Sequence, residues 1–368
     1  MLTSQVVPAE ITAEEESSKP VEYFQSVYDL FKSSQRKTGP VERSYIIGGY
    51  HIRLSFAGPA LLSLTKALEH LAADEHSTPD LTICLWDSES TKQRMISRPW
   101  QESDFLARGV IQGYNTDRIY TAFQHGSGAV SVLDKERDLA VFWAPDSKLP
   151  YWEYGSPLRS ILHWWLLSQG LQLVHAAAVG NSDGGVLIGG KGGSGKSTTA
   201  LACLESNLNY IGDDYTLLAL HPGRPVVHSL YNSAKLNSDH VQRFPVLLPK
   251  VANPDRLADE KALLFVNEHY PAKVATQLPV RAVLLPRVTG VPETRWKRVS
   301  VAMTLAALAP STIFQLPRAG NEAFRFLAAF IRQLPCFSLE VGTNLSTIPP
   351  VIEKLLAEIQ STGLRREE

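Results

Sequence analysis

Gly190-Lys191-Gly192-Gly193-Ser194-Gly195-Lys196-Ser197 is the stretch that decides the fold of this chain. It matches the pattern G-x-x-x-x-G-K-[ST], in which glycines let backbone N–H groups come close to the phosphates of a nucleotide. The apolar run at 185–189 predicts a strand before it, and the residues at 198–204 predict a helix after it. Strand, glycine-rich loop and helix form the context in which this pattern indicates a phosphate-binding P-loop.

The side chains of this loop predict a site for a nucleoside triphosphate with Mg²⁺. Lys196 would add its charge to the β- and γ-phosphates, and the Ser197 hydroxyl would reach the Mg²⁺ ion. The backbone and the positive end of the following helix would face the same phosphates. We therefore expect ATP, or another nucleoside triphosphate, to be bound by Gly190, Lys191, Gly192, Gly193, Ser194, Gly195, Lys196, Ser197 and Thr198.

Two acidic residues, Asp213 and Asp214, follow the apolar pair Tyr210-Ile211 at the end of a predicted strand. A carboxylate in that position can hold Mg²⁺ or take the proton of an acceptor hydroxyl. A turn built by two Asp residues is the alternative, and the nearby P-loop favours the functional interpretation. His175 lies one strand before the P-loop strand, where a buried structural histidine and a site residue are both open.

The composition is that of an ordinary globular protein. The chain has 368 residues, of which 44% are hydrophobic and 20% charged, and its net charge is −1, so no nucleic-acid partner is expected. The three cysteines have no metal-ligand spacing, which predicts a reduced, cytoplasmic setting. No signal peptide is visible, and the most apolar stretch, 161–174, is too short and too polar to cross a membrane, so no membrane partner is expected.

The pattern along the chain predicts three parts. Residues 1–20 are polar and acidic, which predicts disorder; residues 21–150 predict an α+β domain; residues 151–368 predict an α/β domain that contains the P-loop. The predicted helices lie near 20–34, 59–73, 158–169, 321–333 and 350–360, and Pro310-Ser311-Thr312 is interpreted as a helix N-terminus. The predicted strands are a pair within 44–57, then 81–86, short strands from 111 to 143, 172–179, 185–189, 209–211, 215–220, 263–267 and 280–286.

Three segments of the chain resemble the kinase domain of the HPr kinase/phosphorylase family. They are 173–179 with His175, the P-loop at 189–197, and Gly212-Asp213-Asp214. The resemblance covers about residues 170–220. It implies a P-loop kinase domain with a mixed sheet, similar to HPr kinase and to the nucleotide domain of phosphoenolpyruvate carboxykinase, after a smaller α+β domain. It further implies that Lys196 binds the phosphates, that Ser197 helps to hold the metal, and that His175 lies near the transferring phosphate. Asp213 would be the base and Asp214 would assist at the metal or at the acceptor, although two coupled carboxylates can exchange these roles.

The chain departs from this family in two places. The acidic, glycine-rich signature that follows the Asp pair in the family is absent, and 227–235 stands in its place. The first half does not resemble the N-terminal domain of true HPr kinases. The chain is therefore similar to divergent members, which include lasso-peptide tailoring kinases that phosphorylate a terminal Ser of a precursor. Lys235, Lys261, Arg281 and Arg287 are further basic residues that could complete the site.

The resulting hypothesis is an ATP- and Mg²⁺-dependent kinase that transfers the γ-phosphate to a hydroxyl, with a Ser of a peptide or protein as the favoured acceptor. A small-molecule hydroxyl stays open, because acceptor specificity lies in loops that the sequence does not place. A nucleotide-gated binding or assembly module with little or no ATP hydrolysis is the alternative of another class. The family is often oligomeric, which leaves a homo-oligomer open, and a reverse phosphorolysis also stays open.

Overall fold

Two mixed β-sheets organise the described residues of this computed structural model, which are 13–74, 78–221 and 224–362. The first sheet is formed within residues 40–144 and the second within residues 171–341. Helices pack on both sheets, so the chain has the mixed α/β architecture that the sequence predicts.

The first sheet has two parallel strand pairs in an otherwise antiparallel arrangement. Its strands are β1 (Pro40–Ile47), β2 (Tyr50–Ala57), β3 (Ala72–Ala73), β4 (Leu81–Asp87), β5 (Ile119–Phe123), β6 (Val130–Asp134) and β7 (Leu139–Ala144). Their order is β3-β1-β2-β4-β7-β6-β5, and β4 runs parallel to both β2 and β7. The predicted strand pair within 44–57 and the predicted strand at 81–86 are confirmed.

The remaining strands follow residue 170. They are β8 (Leu171–Val174), β9 (Ala177–Asn181), β10 (Gly184–Ile188), β11 (Asn209–Gly212), β12 (Thr216–His221), β13 (Arg224–His228), β14 (Ser233–Leu236), β15 (Ala262–Phe265), β16 (Gln277–Val288), β17 (Arg295–Arg298) and β18 (Cys336–Val341). The second sheet has the order β11-β9-β10-β16-β13-β12-β8, and β18 and then β17 extend it beside β16. β14 and β15 pair with each other. β10 and β18 run parallel to β16.

The α helices of the described residues range from one turn to seven. They are α1 (Ala13–Thr38), α2 (Ser88–Thr91), α3 (Tyr151–Gly155), α4 (Arg159–Ser168), α5 (Lys196–Ala202), α6 (Ser238–Val241), α7 (Val266–His269), α8 (Val301–Ile313), α9 (Gly320–Ile331) and α10 (Ile348–Thr362). Within the described ranges, no helix combines the length and the apolar character that crossing a membrane requires.

Helix α1 begins earlier than the sequence suggests. Its buried Phe24, Val27 and Phe31 recur at helical spacing and pack on the first sheet. A helix anchored in this way extends to Ala13, whereas the sequence predicts disorder over residues 1–20. Residues 1–12 of that prediction lie outside the described residues.

Four other segments differ from the sequence prediction. Leu62–Leu71, within the helix predicted at 59–73, is a 3₁₀ helix and not an α-helix. The single strand predicted at 172–179 is split into β8 and β9, because the chain leaves its neighbour β12 and joins β10 and β11. The strand predicted at 263–267 ends at Phe265, where α7 begins. The segment 310–312 is the end of α8, whose N-terminus is capped by the Ser300 side chain.

Hydrophobic clusters cover both faces of each sheet. α5 and α10 pack on one face of the second sheet, and α8 and α9 pack on the other. A further cluster contains side chains of the first sheet, such as Phe142, and side chains from beyond residue 150, such as Leu173 and Phe265. Because the two halves share this core, a division into domains at about residue 150 stays a prediction.

Candidate functional site

The glycine loop, residues 190–197, joins β10 to α5 at the centre of the second sheet. Strand, loop and helix follow one another as the sequence predicts. Gly190 has φ +139° and Gly195 has φ +108°, conformations that L side chains rarely adopt. Glycine at these two positions therefore lets the loop turn back over the end of β10.

Lys196 directs its ammonium group into the glycine loop. Its Nζ donates to the carbonyl oxygens of Gly190 at 2.9 Å and Lys191 at 3.3 Å. The side chain is buried, and burial lowers the pKa of Lys196, although the charges of Asp213 and Asp214 oppose this shift. A buried cation beside two carboxylates suits an anionic ligand that would exchange for the carbonyl oxygens.

Asp213 stands at the end of β11 and is 1% exposed. Its Oδ2 accepts a hydrogen bond from the Lys235 backbone N–H at 3.4 Å, and its Oδ1 is buried without a hydrogen-bond partner among the described residues. Burial raises the pKa of this carboxyl and the charge of Asp214 raises it further, whereas a side-chain hydrogen bond with Ser197 and the charge of Lys196 oppose the shift. Asp213 is therefore a carboxyl with one free oxygen and an increased affinity for a proton.

Asp214 has the opposite character, because both of its oxygens have partners. Oδ1 lies 3.0 Å from His175 Nε2, and Oδ2 lies 2.7 Å from Lys235 Nζ. Burial alone would raise the pKa of Asp214, but the charge of Lys235 and the contact with His175 lower it well below the usual range. The residue has φ +68°, a conformation that Asp tolerates better than most residues. Asp214 is thus a fixed, ionised carboxylate.

Lys235 is held in place by contacts on three sides. Besides Asp214, its Nζ contacts the Ser156 hydroxyl at 2.7 Å. Gly155 leaves room for its stem, since a Cβ at that position would lie 2.5 Å from Lys235 Cε. The short helix α3 therefore fixes the lysine that fixes Asp214.

These groups surround one cavity of about 370 Å³, which we call the loop cavity. Its lining combines the glycine loop, both aspartates and a basic rim. The lining residues that bear on its chemistry are His175, Lys196, Ser197, Asp213, Asp214, Lys235, Asn237, His240, Arg243, Lys261 and Gln315. Cations outnumber carboxylates here, which favours a ligand with several negative charges.

The residues present fit Mg²⁺ together with a nucleoside triphosphate. Two buried oxygens, Asp213 Oδ1 and Ser194 Oγ, have no hydrogen-bond partner among the described residues. The described part of the chain has no group of three or more His, Cys, Asp or Glu side chains that could hold a metal alone. Mg²⁺ bound by a hydroxyl, a carboxylate and phosphate oxygens needs no such group.

The structure brings most of the sequence-predicted residues together. His175, Lys196, Ser197, Thr198 and both aspartates line the loop cavity, as do Lys235 and Lys261. Gly190, Lys191 and Ser194 line a neighbouring groove, with Arg287. Arg281 lies apart from the site, where its Nε donates to the Asp183 carbonyl oxygen at 2.8 Å.

Tyr215 and Gln315 are site residues that the sequence does not reveal. The Tyr215 hydroxyl donates to Gln315 Oε1 at 2.8 Å, and its ring lies 5.4 Å from the His175 ring. Burial raises the pKa of Tyr215 to about 12, so the phenol stays protonated and able to donate. Tyr215 directly follows the Asp pair, which is a usable signal, whereas Gln315 is 100 residues away and has none.

Comparison with known proteins yields a structural likeness and no sequence match. No family model matches the sequence, and no curated protein matches it. Among solved structures, the chain is similar to the Hpr(Ser) kinase/phosphatase from Coxiella burnetii, with 13% sequence identity and a TM-score of 0.30 over 51% of this chain and 99% of that chain. A likeness at this level does not establish a shared activity.

Proposed function

We propose that this chain is an ATP- and Mg²⁺-dependent phosphotransferase that moves the γ-phosphoryl group to a hydroxyl. The observation that carries the proposal is the free, buried Oδ1 of Asp213 in the same cavity as Lys196 and Ser197. A base for the acceptor, a cation for the phosphates and a hydroxyl for the metal are the parts that such a transfer needs.

Asp213 is assigned the role of base. The acceptor O–H bond breaks as its oxygen attacks the γ-phosphorus; the proton goes to Asp213 Oδ1, and the bond between the γ-phosphorus and the bridging oxygen breaks to release ADP. The raised pKa of Asp213 makes it a stronger base than an exposed Asp. Lys196 would bind the phosphates in place of its present carbonyl partners.

Mg²⁺, when bound, would neutralise charge on the phosphates, with Ser197 as one protein ligand. The role of Asp214 as a second ligand stays a prediction, and both of its oxygens would have to share or exchange their partners for it. The geometry supports a positioning role: Asp214 orients His175 and Lys235 around the site, and Lys235 in turn donates its backbone N–H to Asp213.

The acceptor hydroxyl that we propose is a Ser of a peptide or protein, in a cytoplasmic setting. The resemblance of 170–220 to the HPr kinase family motivates this part. The basic rim of the loop cavity is compatible with it, because Arg243 and Lys261 add positive charge to the lining of this cavity. Small-molecule acceptors are the competing outcome of the same experiment.

The first experiment measures phosphoryl transfer and nucleotide binding separately. The purified chain and its Lys196→Ala and Asp213→Asn variants are incubated with ATP, Mg²⁺ and a pool of Ser-containing peptides, and mass spectrometry detects phosphopeptides. A fluorescent ATP analogue measures binding. We expect Asp213→Asn to abolish transfer while binding survives, and Lys196→Ala to weaken both.

Matched controls separate these effects from a general loss of charge. Lys354→Ala on α10 and Asp117→Asn in an exposed turn remove the same charges far from the loop cavity and should leave transfer unchanged. Transfer that persists in Asp213→Asn would contradict the base assignment. Binding without any phosphorylated product, from peptides or metabolites, would favour the nucleotide-gated module.

A further inference from the structure

A second cavity, of about 520 Å³, opens beside the loop cavity. We call it the arginine cavity, after two of its lining residues. The polar side chains that line it are Arg108, Gln124, His125, Arg159, Tyr215 and Gln315. Residues 106–126 belong to the first sheet and its connections, so both halves of the chain build this cavity.

Positive charge dominates the arginine cavity. Two arginines and no Asp or Glu are among its described lining residues. Neither arginine forms an ion pair with any described residue within 4.0 Å. An anionic group bound in this cavity would neutralise the positive charge of the two guanidinium groups.

Arg159 is half-buried and incompletely hydrogen-bonded. Its Nε is buried with no hydrogen-bond partner among the described residues, and its Nη1 donates to the Tyr215 hydroxyl at a long 3.4 Å. The guanidinium carbon lies 5.1 Å from the centre of the Tyr215 ring. The carboxyls of Glu153 and Asp214 supply negative charge in its surroundings, and burial raises the pKa of Glu153.

Arg108 is held at the cavity by a strained backbone. It has φ +61°, which is uncommon for a residue with a side chain, and the side chain is exposed. The next residue, Gly109, packs so closely on the Phe123 carbonyl that a Cβ there would overlap it. The main chain is therefore pinned to β5 at this point, and the arginine is placed at the cavity although the conformation is unfavourable.

The arginine cavity meets the loop cavity next to the proposed base. Gln315 lines both cavities, and Tyr215, which directly follows Asp214, contributes to the arginine cavity and bonds to Gln315. Gln315 also lines the groove along the glycine loop, together with Arg108. A molecule that enters the loop cavity from this side would therefore pass the two arginines.

We propose that the arginine cavity binds an anionic group, a carboxylate or a phosphate, carried by the molecule whose hydroxyl is phosphorylated. This inference rests on the proposed phosphotransfer. Guanidinium groups bind carboxylate and phosphate with paired hydrogen bonds, so the cavity selects an acceptor with negative charge at a fixed distance from its hydroxyl. Neutral acceptors would leave the arginines unpaired.

The test compares acceptors that differ in one charge. Ser-containing peptides are offered in four forms, with a side-chain carboxylate (Glu), a phosphoserine, a free C-terminus, or neither (Gln and a C-terminal amide). We expect kcat/KM for at least one anionic form to exceed that of the neutral form by about tenfold or more, the effect of one lost charge-assisted hydrogen bond. The form with the largest preference identifies the source of the anion.

Variants of the two arginines locate this preference. Arg108→Asn suits the positive φ, and we expect it to raise KM for the anionic peptide by a larger factor than it changes kcat or the KM for the neutral peptide. Arg159→Gln is the second variant. The exposed Arg325 on α9 provides the matched control, because Arg325→Asn removes the same charge away from both cavities. Equal kcat/KM for anionic and neutral peptides, or a preference unaffected by both variants, would overturn the inference.

A binding measurement separates this inference from the proposed function. Calorimetric titration of succinate and of sulfate is carried out on the full chain saturated with Mg²⁺-ATP, so that the loop cavity is filled. We expect one of these probes to bind, and both arginine variants to weaken it about tenfold or more. Arginine-dependent binding without transfer to any acceptor would reject the proposed phosphotransferase activity and support the anion site. Transfer without arginine-dependent binding would support the phosphotransferase activity and reject the anion site.

Discussion

The two sides of the loop cavity hold the same kind of residue in opposite states. On the loop side, Asp213 is buried with a free oxygen and a raised pKa; on the ion-pair side, Asp214 is bound by His175 and Lys235 and has a lowered pKa. The two aspartates are adjacent in sequence, so local composition cannot be the cause. Their partners decide which carboxylate keeps a free oxygen and which is held in an ion pair.

Asp213→Asn removes the carboxylate that we propose as the base. We expect phosphoryl transfer to fall by about 10²–10⁴-fold, the usual contribution of a general base. The folded-state pKa of Asp213 is raised, so its carboxyl stabilises the fold only at low pH, and this contribution is lost as pH rises through that pKa. The variant should therefore unfold at pH 7 no earlier than the wild type in a thermal melt. A large drop in the melting temperature would show that Asp213 is structural instead.

Asp214→Asn tests the structural side. Removing one partner of a largely buried ion pair leaves the Lys235 charge uncompensated, and we expect a loss of about 3 kcal/mol in the free energy of unfolding at pH 7. The folded-state pKa of Asp214 is lowered, so this stabilisation is present above the unfolded pKa and is lost as pH falls through the folded one. The difference between variant and wild type in urea unfolding should shrink below about pH 5.

The double variant Asp214→Asn/Lys235→Met is the control for this explanation. It removes both charges of the pair, so it should recover part of the stability that Asp214→Asn loses. Equal instability of the single and double variants would mean that packing, rather than the unpaired lysine, causes the loss.

Gly155→Ala fills the space that Gly155 leaves for the side chain of Lys235. The added Cβ would lie 2.5 Å from Lys235 Cε and 2.9 Å from Leu263 Cδ1, so both side chains would have to shift. We expect a cost of about 1–3 kcal/mol, as for other overpacked sites, measured by urea unfolding. Gly192→Ala is the matched control for stability, because a Cβ there meets nothing within 4 Å. Equal stability of the two variants would contradict the tight contact.

The pH dependence of transfer gives the smallest effect. Asp213 must be ionised to accept a proton, so kcat/KM should fall as pH decreases through its pKa. Because that pKa is raised by burial and by Asp214, the acidic limb should lie above about 3.9, the value for an unperturbed Asp. An acidic limb at or below that value would assign the base to another group.

The sequence predicts the parts of this site that are local. The glycine loop has its residues fixed within eight positions, and the strand before it and the helix after it are confirmed. The bond from Lys235 to Asp214 spans 21 residues and the contact of Tyr215 with Gln315 spans 100, so only the folded sheet brings these pairs together. The break of the strand at His175 is likewise invisible to residue preference, because it depends on which strand lies beside it.

The hydrophobic cluster shared by the two sheets has a consequence for how the chain unfolds. One cluster contains Phe142 from the first sheet together with Leu173 and Phe265 from the half of the chain beyond residue 150. Unfolding one half would expose apolar surface of the other half to water, which is unfavourable. The chain should behave as one cooperative unit, with a single calorimetric peak whose enthalpy equals the van't Hoff value. The stability of the candidate site in the second half then depends on the stability of the first sheet.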